Sequence, residues 1–190
     1  FINVIERKPD DKNLSFGSSW LHQDTSYLSE DRPRYTMLMG MEIPIGQGNT
    51  IFSSGFNAYE KLPQEIKDKI KDATGIFSSA GPIAVTRLER EKEMGIKSSE
   101  SMEAEHPIVK TVNDKKSLYI SPGHLMKIKN VQEDADYLKN YLIEHVNKAE
   151  FTFSYEWKKG DICLWDNLSI LHMASEIKNC KRVMHRITIK

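Results

Sequence analysis

Short apolar runs recur along the chain and predict a mostly β protein. The clearest are residues 35–43 (YTMLMGMEI), 117–121 (SLYIS), 151–157 (FTFSYEW) and 182–189 (RVMHRITI), all rich in β-forming residues. In residues 151–157 the aromatic side chains fall at every second position, so a strand would place them all on one face. We therefore expect several short strands, each with two distinct faces.

A tight turn is predicted after residues 151–157. The sequence KKGD at 158–161 contains Gly160, which adopts positive φ without steric cost. The next apolar run, DICLW at 161–165, follows directly. We expect these two runs to pair as a β-hairpin.

Two segments have the period of an amphipathic helix. Residues 62–75 (LPQEIKDKIKDATG) place Pro63 in a first turn and Gly75 at a stop position. Residues 134–148 (DADYLKNYLIEHVNK) put their apolar side chains on a single stripe. That stripe consists of Leu138, Tyr141, Leu142, His145 and Val146.

Many short strands with few helices are typical of a sandwich or barrel, and a jelly roll fits this pattern. The fold class is therefore mainly β with flanking helices, and the length favours a single domain over residues 1–190. Residues 81–105 are polar and charged. They favour a solvated insertion, with a lid near an active site as the open alternative.

Charge and composition narrow the partners of the protein. Lys+Arg and Asp+Glu both number 27, so the net charge is zero and offers no electrostatic footprint for nucleic acid or an anionic membrane. No apolar run is long enough to span a bilayer. The two cysteines, Cys163 and Cys180, are too few for a disulfide scaffold and favour free thiols in a cytoplasmic, reducing environment. A homo-oligomer is compatible with this composition.

The sequence LHQDTSY at residues 21–27 places His22 and Asp24 two positions apart. These two residues either belong to a surface loop or are two ligands of a metal site, and such a site needs a third protein ligand. His172 is the favoured third ligand, because it follows a strand and an Asp-Asn turn and is therefore expected at the end of a strand, on the rim of the fold. The other histidines are His106, which precedes Pro107 at a strand start, and His124, His145 and His185.

Five segments, in order from about residue 20 to the end, resemble the taurine dioxygenase / 2,4-dichlorophenoxyacetate dioxygenase family of Fe(II)- and 2-oxoglutarate-dependent oxygenases. They are LHQDTSY, GNTIFSSGFNAYEKLP, HPIVKT with KKSLYIS, WKKGDICLWDNLSILH and RVMHRITI. The resemblance implies a double-stranded β-helix (jelly roll) in which His22, Asp24 and His172 form the catalytic, metal-binding triad. Three ligands on one face of Fe(II) leave positions for 2-oxoglutarate, the cosubstrate, and for O₂.

The resemblance also implies that Arg182 and Thr50 bind the distal carboxylate of 2-oxoglutarate, which the planar fork of arginine suits. On a strand, Arg182 and Arg186 share a face and lie roughly 13 Å apart at ~3.3 Å per residue. That distance is too long for one small carboxylate. We therefore expect Arg186 to bind the acidic group of the substrate, with a solvated strand face as the alternative. His185 then points to the opposite face.

The expected function is hydroxylation of an aliphatic C–H bond in a small anionic substrate, a sulfonate or a carboxylate, with release of succinate and CO₂. A zinc-dependent hydrolase using the same three residues is an alternative, but it gives no reason for Arg182 and Thr50. A non-catalytic jelly-roll binding module with a vestigial metal site is another. Two departures from the family pattern are Leu21, where an aromatic residue commonly precedes the histidine, and the length, since members are usually longer, with additional strands before the point where this chain begins. Together with the start without Met, the length leads us to expect that N-terminal strands of the family are lacking.

Overall fold

The computed structural model describes residues 1–11, 19–84, 88, 92, 95, 100–132 and 134–190. Within these residues, β-strands predominate over helices. The strands are β1 (Asn3–Arg7), β2 (Tyr35–Glu42), β3 (Thr50–Ser54), β4 (Thr74–Ser78), β5 (Glu103–Pro107), β6 (Val109–Val112), β7 (Lys115–Leu118), β8 (Leu125–Lys129), β9 (Thr152–Tyr155), β10 (Ile162–Asp166), β11 (Ile170–Ala174) and β12 (Arg182–Ile189). The helices are α1 (Gly55–Glu60), α2 (Gln64–Ile70) and α3 (Ala135–Val146), with 3-10 turns at Pro82–Ala84 and Ala149–Phe151.

Two antiparallel sheets form the centre of the fold. One has the strand order β1-β12-β2-β10, and the other has the order β11-β3-β9. Strands that follow one another in the chain, such as β2 and β3 or β10 and β11, lie in different sheets. The chain therefore winds between the sheets, as in the predicted double-stranded β-helix. A third sheet (β5-β4-β8) and the β6–β7 hairpin complete the described strands.

The predicted hairpin between residues 151–157 and 161–165 is wrong. β9 pairs with β3, and β10 pairs with β2 in the other sheet. The turn itself is present, because Gly160 has φ +90° and the Asp161 carboxylate accepts hydrogen bonds from the Lys158 amide (2.8 Å) and the Tyr155 hydroxyl (3.0 Å). The same turn chemistry here carries the chain from one sheet to the other.

The helices agree with the sequence pattern except at one boundary. α3 buries Leu138, Leu142, His145 and Val146, as predicted, and the His145 ring hydrogen-bonds the carbonyl of Ala58. α2 ends at Ile70, whereas Gly75 lies inside β4 and is not a helix stop. A Cβ at position 75 would lie 2.7 Å from the Phe77 ring, so close packing explains this glycine. The run at 117–121 is strand only to Leu118.

Buried apolar side chains of the described residues form two clusters. The larger cluster joins residues of α2 and α3 to residues of β4 and β8. The smaller cluster fills the space between the two central sheets and consists of Leu38, Phe52, Trp157, Trp165 and Met184. This smaller cluster supports the candidate site described below.

Several remaining predictions can be placed. Cys163 and Cys180 are both free thiols. In the described part of the chain, no helix has the length and apolar character needed to cross a membrane. Nearly half of the predicted insertion or lid at residues 81–105 lies outside the described residues, and its two ends belong to the 3-10 turn Pro82–Ala84 and to β5.

Candidate metal centre

A short backbone bridge brings the two predicted histidine ligands together. The amide of His22 donates to the carbonyl of His172 (3.0 Å), and the amide of His172 donates back to the carbonyl of His22 (2.9 Å). Their rings lie 4.3 Å apart, centre to centre. His172 lies in the middle of β11 (Ile170–Ala174). The prediction that it lies beyond the end of a strand is therefore wrong.

Asp24 faces both histidines from the loop that follows His22. Its Oδ1 lies 3.8 Å from His22 Nε2 and 3.7 Å from His172 Nε2, and the three candidate ligand atoms lie within 4.8 Å of one another. All three residues are buried. Histidine nitrogens and carboxylate oxygens bind a divalent transition-metal ion such as Zn²⁺ at about 2.0–2.2 Å, so two ligand atoms of one ion lie at most about 4.4 Å apart. Both distances to Asp24 fit a shared cation.

The protonation of the three residues suits metal binding. His22 Nδ1 lies 3.1 Å from the Trp20 carbonyl, which places the ring proton there and leaves Nε2 as a ligand. Burial lowers the pKa of His22 and lowers the pKa of His172 to about 3, which favours the neutral ring that a metal requires. Burial acts to raise the pKa of Asp24, but His172, His22, Arg186 and the Thr36 hydroxyl outweigh it and hold that pKa below its ordinary value.

A chain of hydrogen bonds holds the Asp24 carboxylate. Thr36 donates to Asp24 Oδ2 (2.6 Å), Asn167 donates to Thr36 (2.8 Å), and Trp165 Nε1 donates to Asn167 Oδ1 (3.1 Å). None of these three residues was predicted from the sequence as part of the site. The sequence predicts a turn at Asn167, and in the structure it is Asp166 that supports this turn, because its carboxylate accepts a hydrogen bond from the Leu168 amide. The available signal for Thr36 was a polar residue at an inward position of a predicted strand.

An adjoining cavity contains the predicted cosubstrate residues. Its lining includes Thr50, Arg182 and Arg186 together with His22 and His172. The structure therefore brings all six predicted site residues to one place, with Asp24 beside the cavity. Arg182, Met184 and Arg186 all line this cavity, as expected for one face of β12.

The guanidinium of Arg182 is prepared for an anion. Arg182 is only 6% exposed, and its Nε and Nη2 atoms are buried without a hydrogen-bond partner. Burial lowers its pKa to about 10, so it remains charged at neutral pH. Gly48, at φ +74°, makes room for it, because a Cβ there would lie 2.9 Å from Arg182 Cδ.

Thr50 is oriented by a tryptophan that the sequence analysis also missed. Trp157 Nε1 donates to Thr50 Oγ1 at 2.9 Å, and both residues are buried. Because that bond occupies a lone pair, the hydroxyl proton of Thr50 points elsewhere and can be donated to a ligand. Together with the unpaired nitrogens of Arg182, this donor suits a carboxylate.

Arg186 lies between the cavity and the triad. Its Nη1 is 3.6 Å from Asp24 Oδ1, so its charge acts on a candidate ligand as well as on the cavity. Its predicted contact with the substrate remains a prediction.

His124 and His106 have structural partners. His124 lies near His22, with ring centres 5.8 Å apart, but its Nδ1 bonds the Ser26 hydroxyl (2.9 Å). His106 bonds the Leu28 carbonyl, and it lies near the end of β5 rather than at the start of a strand. His185 does not line the cavity, as the alternation of β12 predicts.

Comparison with known families gives a match along almost the whole chain. Residues 2–188 match the family described as "Taurine catabolism dioxygenase TauD, TfdA family". Among solved structures, the chain is similar to AAD-2 in complex with Mn(II) and N-oxalylglycine. That similarity has a TM-score of 0.80 and 26% identity, and covers 99% of this chain and 72% of the other.

Two curated bacterial proteins are also similar. An alkylsulfatase from Acinetobacter baylyi is 32% identical over 192 residues, which cover 95% of this chain and 59% of that protein. An alpha-ketoglutarate-dependent sulfate ester dioxygenase from Pseudomonas putida is 27% identical over 184 residues, covering 90% of this chain and 59% of that protein. The chain thus spans about three fifths of the length of each.

Proposed function

The chain belongs to the TauD, TfdA family of dioxygenases, and from that premise we propose that it is an Fe(II)- and 2-oxoglutarate-dependent dioxygenase. Its substrate is a small anionic molecule that carries a sulfonate, sulfate ester or carboxylate group, the chemistry named for its relatives. When bound, Fe(II) and 2-oxoglutarate supply the activation of O₂ that oxidises a substrate C–H bond, with release of succinate and CO₂.

One observation carries this proposal. Two of three buried groups suited to one cation line a cavity together with a buried guanidinium that has unpaired nitrogens, and the third group, Asp24, lies beside that cavity. A zinc hydrolase using the same triad gives no role to Arg182 or to the oriented hydroxyl of Thr50. A carboxylate-bearing cosubstrate next to the metal accounts for both.

His22, Asp24 and His172 would hold the metal. The Trp20 carbonyl fixes the ring proton of His22, and Thr36 fixes the carboxylate of Asp24. Partners of this kind typically change metal affinity 10- to 100-fold when they are removed. These partners therefore hold the ring of His22 and the carboxylate of Asp24 in the orientation that a shared cation needs.

Arg182 and Thr50 would bind the distal carboxylate of 2-oxoglutarate. The arginine supplies charge and two buried donors, and the threonine supplies a third donor. Arg186 would hold the acidic group of the substrate near the metal, a role supported by its place between Asp24 and the cavity.

The domain and cellular assignments are proposals of the same kind. A single oxygenase domain over residues 1–190 is supported by the family match over residues 2–188. A cytoplasmic location is supported by the two free thiols. A homo-oligomer remains a prediction.

An anaerobic titration tests the proposal. Fe(II) added with 2-oxoglutarate should produce the visible charge-transfer absorption of their chelate, and Asp24→Ala should abolish it. Succinate release with a panel of sulfonates, sulfate esters and carboxylates then identifies the substrate. A chain that binds Zn(II) tightly but gives no chelate absorption with Fe(II) and 2-oxoglutarate would favour the hydrolase instead.

A further inference from the structure

Three basic side chains surround the ring of Tyr119, which is 1% exposed. Lys110 Nζ lies 4.0 Å from the ring centre, and the guanidinium carbon of Arg32 lies 5.9 Å from it. The ring of His106 meets Tyr119 edge-on at 5.7 Å. This group is called the Tyr119 cluster below.

No carboxylate balances the charge of this cluster within the described part of the chain. Neither Arg32 nor Lys110 forms an ion pair with a described residue, although Arg32 hydrogen-bonds Tyr119. Arg32 Nη1 is buried and has no hydrogen-bond partner. A buried donor without a partner is costly, because it has lost its water and gained nothing in return.

The electrostatics of the cluster agree with a missing negative charge. Burial, with a smaller contribution from Arg32, lowers the pKa of Lys110 to about 8. Burial, aided by Arg32 and Lys110, lowers the pKa of His106 to about 4. The cation–π contact of Lys110 with Tyr119 stabilises one charge but leaves the donor of Arg32 unsatisfied.

The Tyr119 cluster lies close to the metal centre but outside the cavity of Arg182. His106 bonds the carbonyl of Leu28, in the segment that runs from Asp24 to β2, and Arg32 belongs to the same segment. The charge of Asp24 contributes to raising the pKa of Tyr119, although burial is the main cause. None of the cluster residues lines the cavity of Arg182.

We propose that Arg32 and Lys110 form a second anion site that binds a small oxyanion: a carboxylate, sulfonate or sulfate. A guanidinium offers two parallel donors to such a group, and an ammonium adds a point charge. The anion is either a free inorganic ion or the acidic group of the substrate, and in the second case this site takes the role proposed above for Arg186. The substrate version rests on the proposed function, whereas anion binding itself does not.

Sulfate binding tests the site without any turnover. The chain carrying Arg182→Ala, which removes the other buried anion donor, is heated in sodium sulfate and in sodium chloride of equal ionic strength. Sulfate should raise the midpoint of thermal unfolding saturably, as a ligand of the folded state does. Adding Lys110→Gln or Arg32→Gln should weaken the apparent sulfate affinity roughly tenfold or more.

Lys116→Gln is the matched control, since Lys116 lies in the same β6–β7 hairpin and contacts a different ring, that of Tyr59. It reports the general stabilisation by sulfate that any protein shows. If Lys110→Gln and Arg32→Gln respond to sulfate as Lys116→Gln does, the second anion site does not exist.

A kinetic measurement then distinguishes the two sources of the anion. It uses the chain without the Arg182→Ala substitution. With an alkyl sulfate as substrate, Lys110→Gln should raise the substrate KM roughly tenfold and leave the KM for 2-oxoglutarate unchanged if the site holds the substrate's own group. Unchanged KM values, together with lost sulfate binding, assign the site to a free anion. If no substrate is turned over, the proposed function fails, while the thermal measurement still decides the anion site.

Discussion

Replacing Trp157 with phenylalanine removes a single hydrogen bond from the cosubstrate side of the site and leaves an aromatic ring in place. Trp157 Nε1 donates to Thr50 Oγ1 at 2.9 Å, and nothing in a phenylalanine ring replaces that donor. The hydroxyl of Thr50 then loses the contact that directs its proton away from Trp157. We expect weaker binding of 2-oxoglutarate with unchanged metal binding.

The size of the effect follows from the type of bond. A neutral hydrogen bond contributes about 0.5–1.5 kcal/mol net, which corresponds to a roughly two- to tenfold loss of affinity. Trp157 is also part of the smaller core cluster, so the smaller ring should lower the free energy of unfolding by about 1–3 kcal/mol. The affinity is therefore measured well below the unfolding temperature of the variant.

Trp165→Phe is the control, because Trp165 lies in the same cluster but donates to Asn167 on the metal side. The Trp165→Phe variant should bind the metal roughly tenfold more weakly. This is the lower end of the 10- to 100-fold loss that typically follows removal of a group that orients a metal ligand. Calorimetric titrations with Mn(II), and then with N-oxalylglycine in excess Mn(II), measure the two affinities separately. Thr50→Val gives the full contribution of the hydroxyl.

Equal losses of both affinities in both tryptophan variants would refute the reasoning, since they would indicate general loosening of the core. The reasoning would also be wrong if Thr50→Val weakened N-oxalylglycine while Trp157→Phe left it unchanged. In that case the hydroxyl of Thr50 would not need its tryptophan.

Three further predictions concern the charged residues. Asp24→Ala should abolish Fe(II) binding and turnover while circular dichroism shows a retained fold; normal consumption of 2-oxoglutarate by this variant would contradict the triad. Arg182→Ala should raise the KM for 2-oxoglutarate roughly ten- to hundredfold. Arg186→Ala should instead raise the KM for the substrate, and the variant should release succinate without a matching amount of product. If both variants raise the KM for 2-oxoglutarate equally, the two arginines do not bind two different anions. Burial lowers the pKa of His106 from 6.5 to about 4, so the unfolded chain binds a proton there that the folded chain does not, and stability should fall as the pH falls through this window. Urea unfolding at several pH values measures that slope, which His106→Gln should reduce; an unchanged slope would show that His106 is not its source.

Local sequence patterns accounted well for single elements and poorly for their partners. The alternation in residues 182–189 predicted the strand β12 and the shared face of Arg182, Met184 and Arg186. The stripe in residues 134–148 predicted α3 and the buried side of His145. These features repeat every two or every 3.6 residues, so a short stretch of chain determines them.

Strand pairing was not available from the same patterns. The turn at Gly160 looked like a hairpin turn, but β9 pairs with β3 and β10 pairs with β2. A turn fixes how the chain bends, whereas the choice of partner depends on which sheet buries each face. That choice involves strands that lie far apart in the sequence, such as β3 and β9, in which Thr50 pairs with Tyr155.

For the candidate site, the sequence determined which kinds of group are present and which six residues to consider, five of them through the resemblance and Arg186 through the geometry of its strand. Only the tertiary structure decided that His172 meets His22 across a backbone bridge, that Trp157 orients Thr50, and that Gly48 makes room for Arg182. The tertiary structure also brought Arg32 and Lys110 together at Tyr119. Hydrogen bonds and charge interactions act over a few ångströms in space, so residues distant in the chain acquire these roles only when folding makes them neighbours.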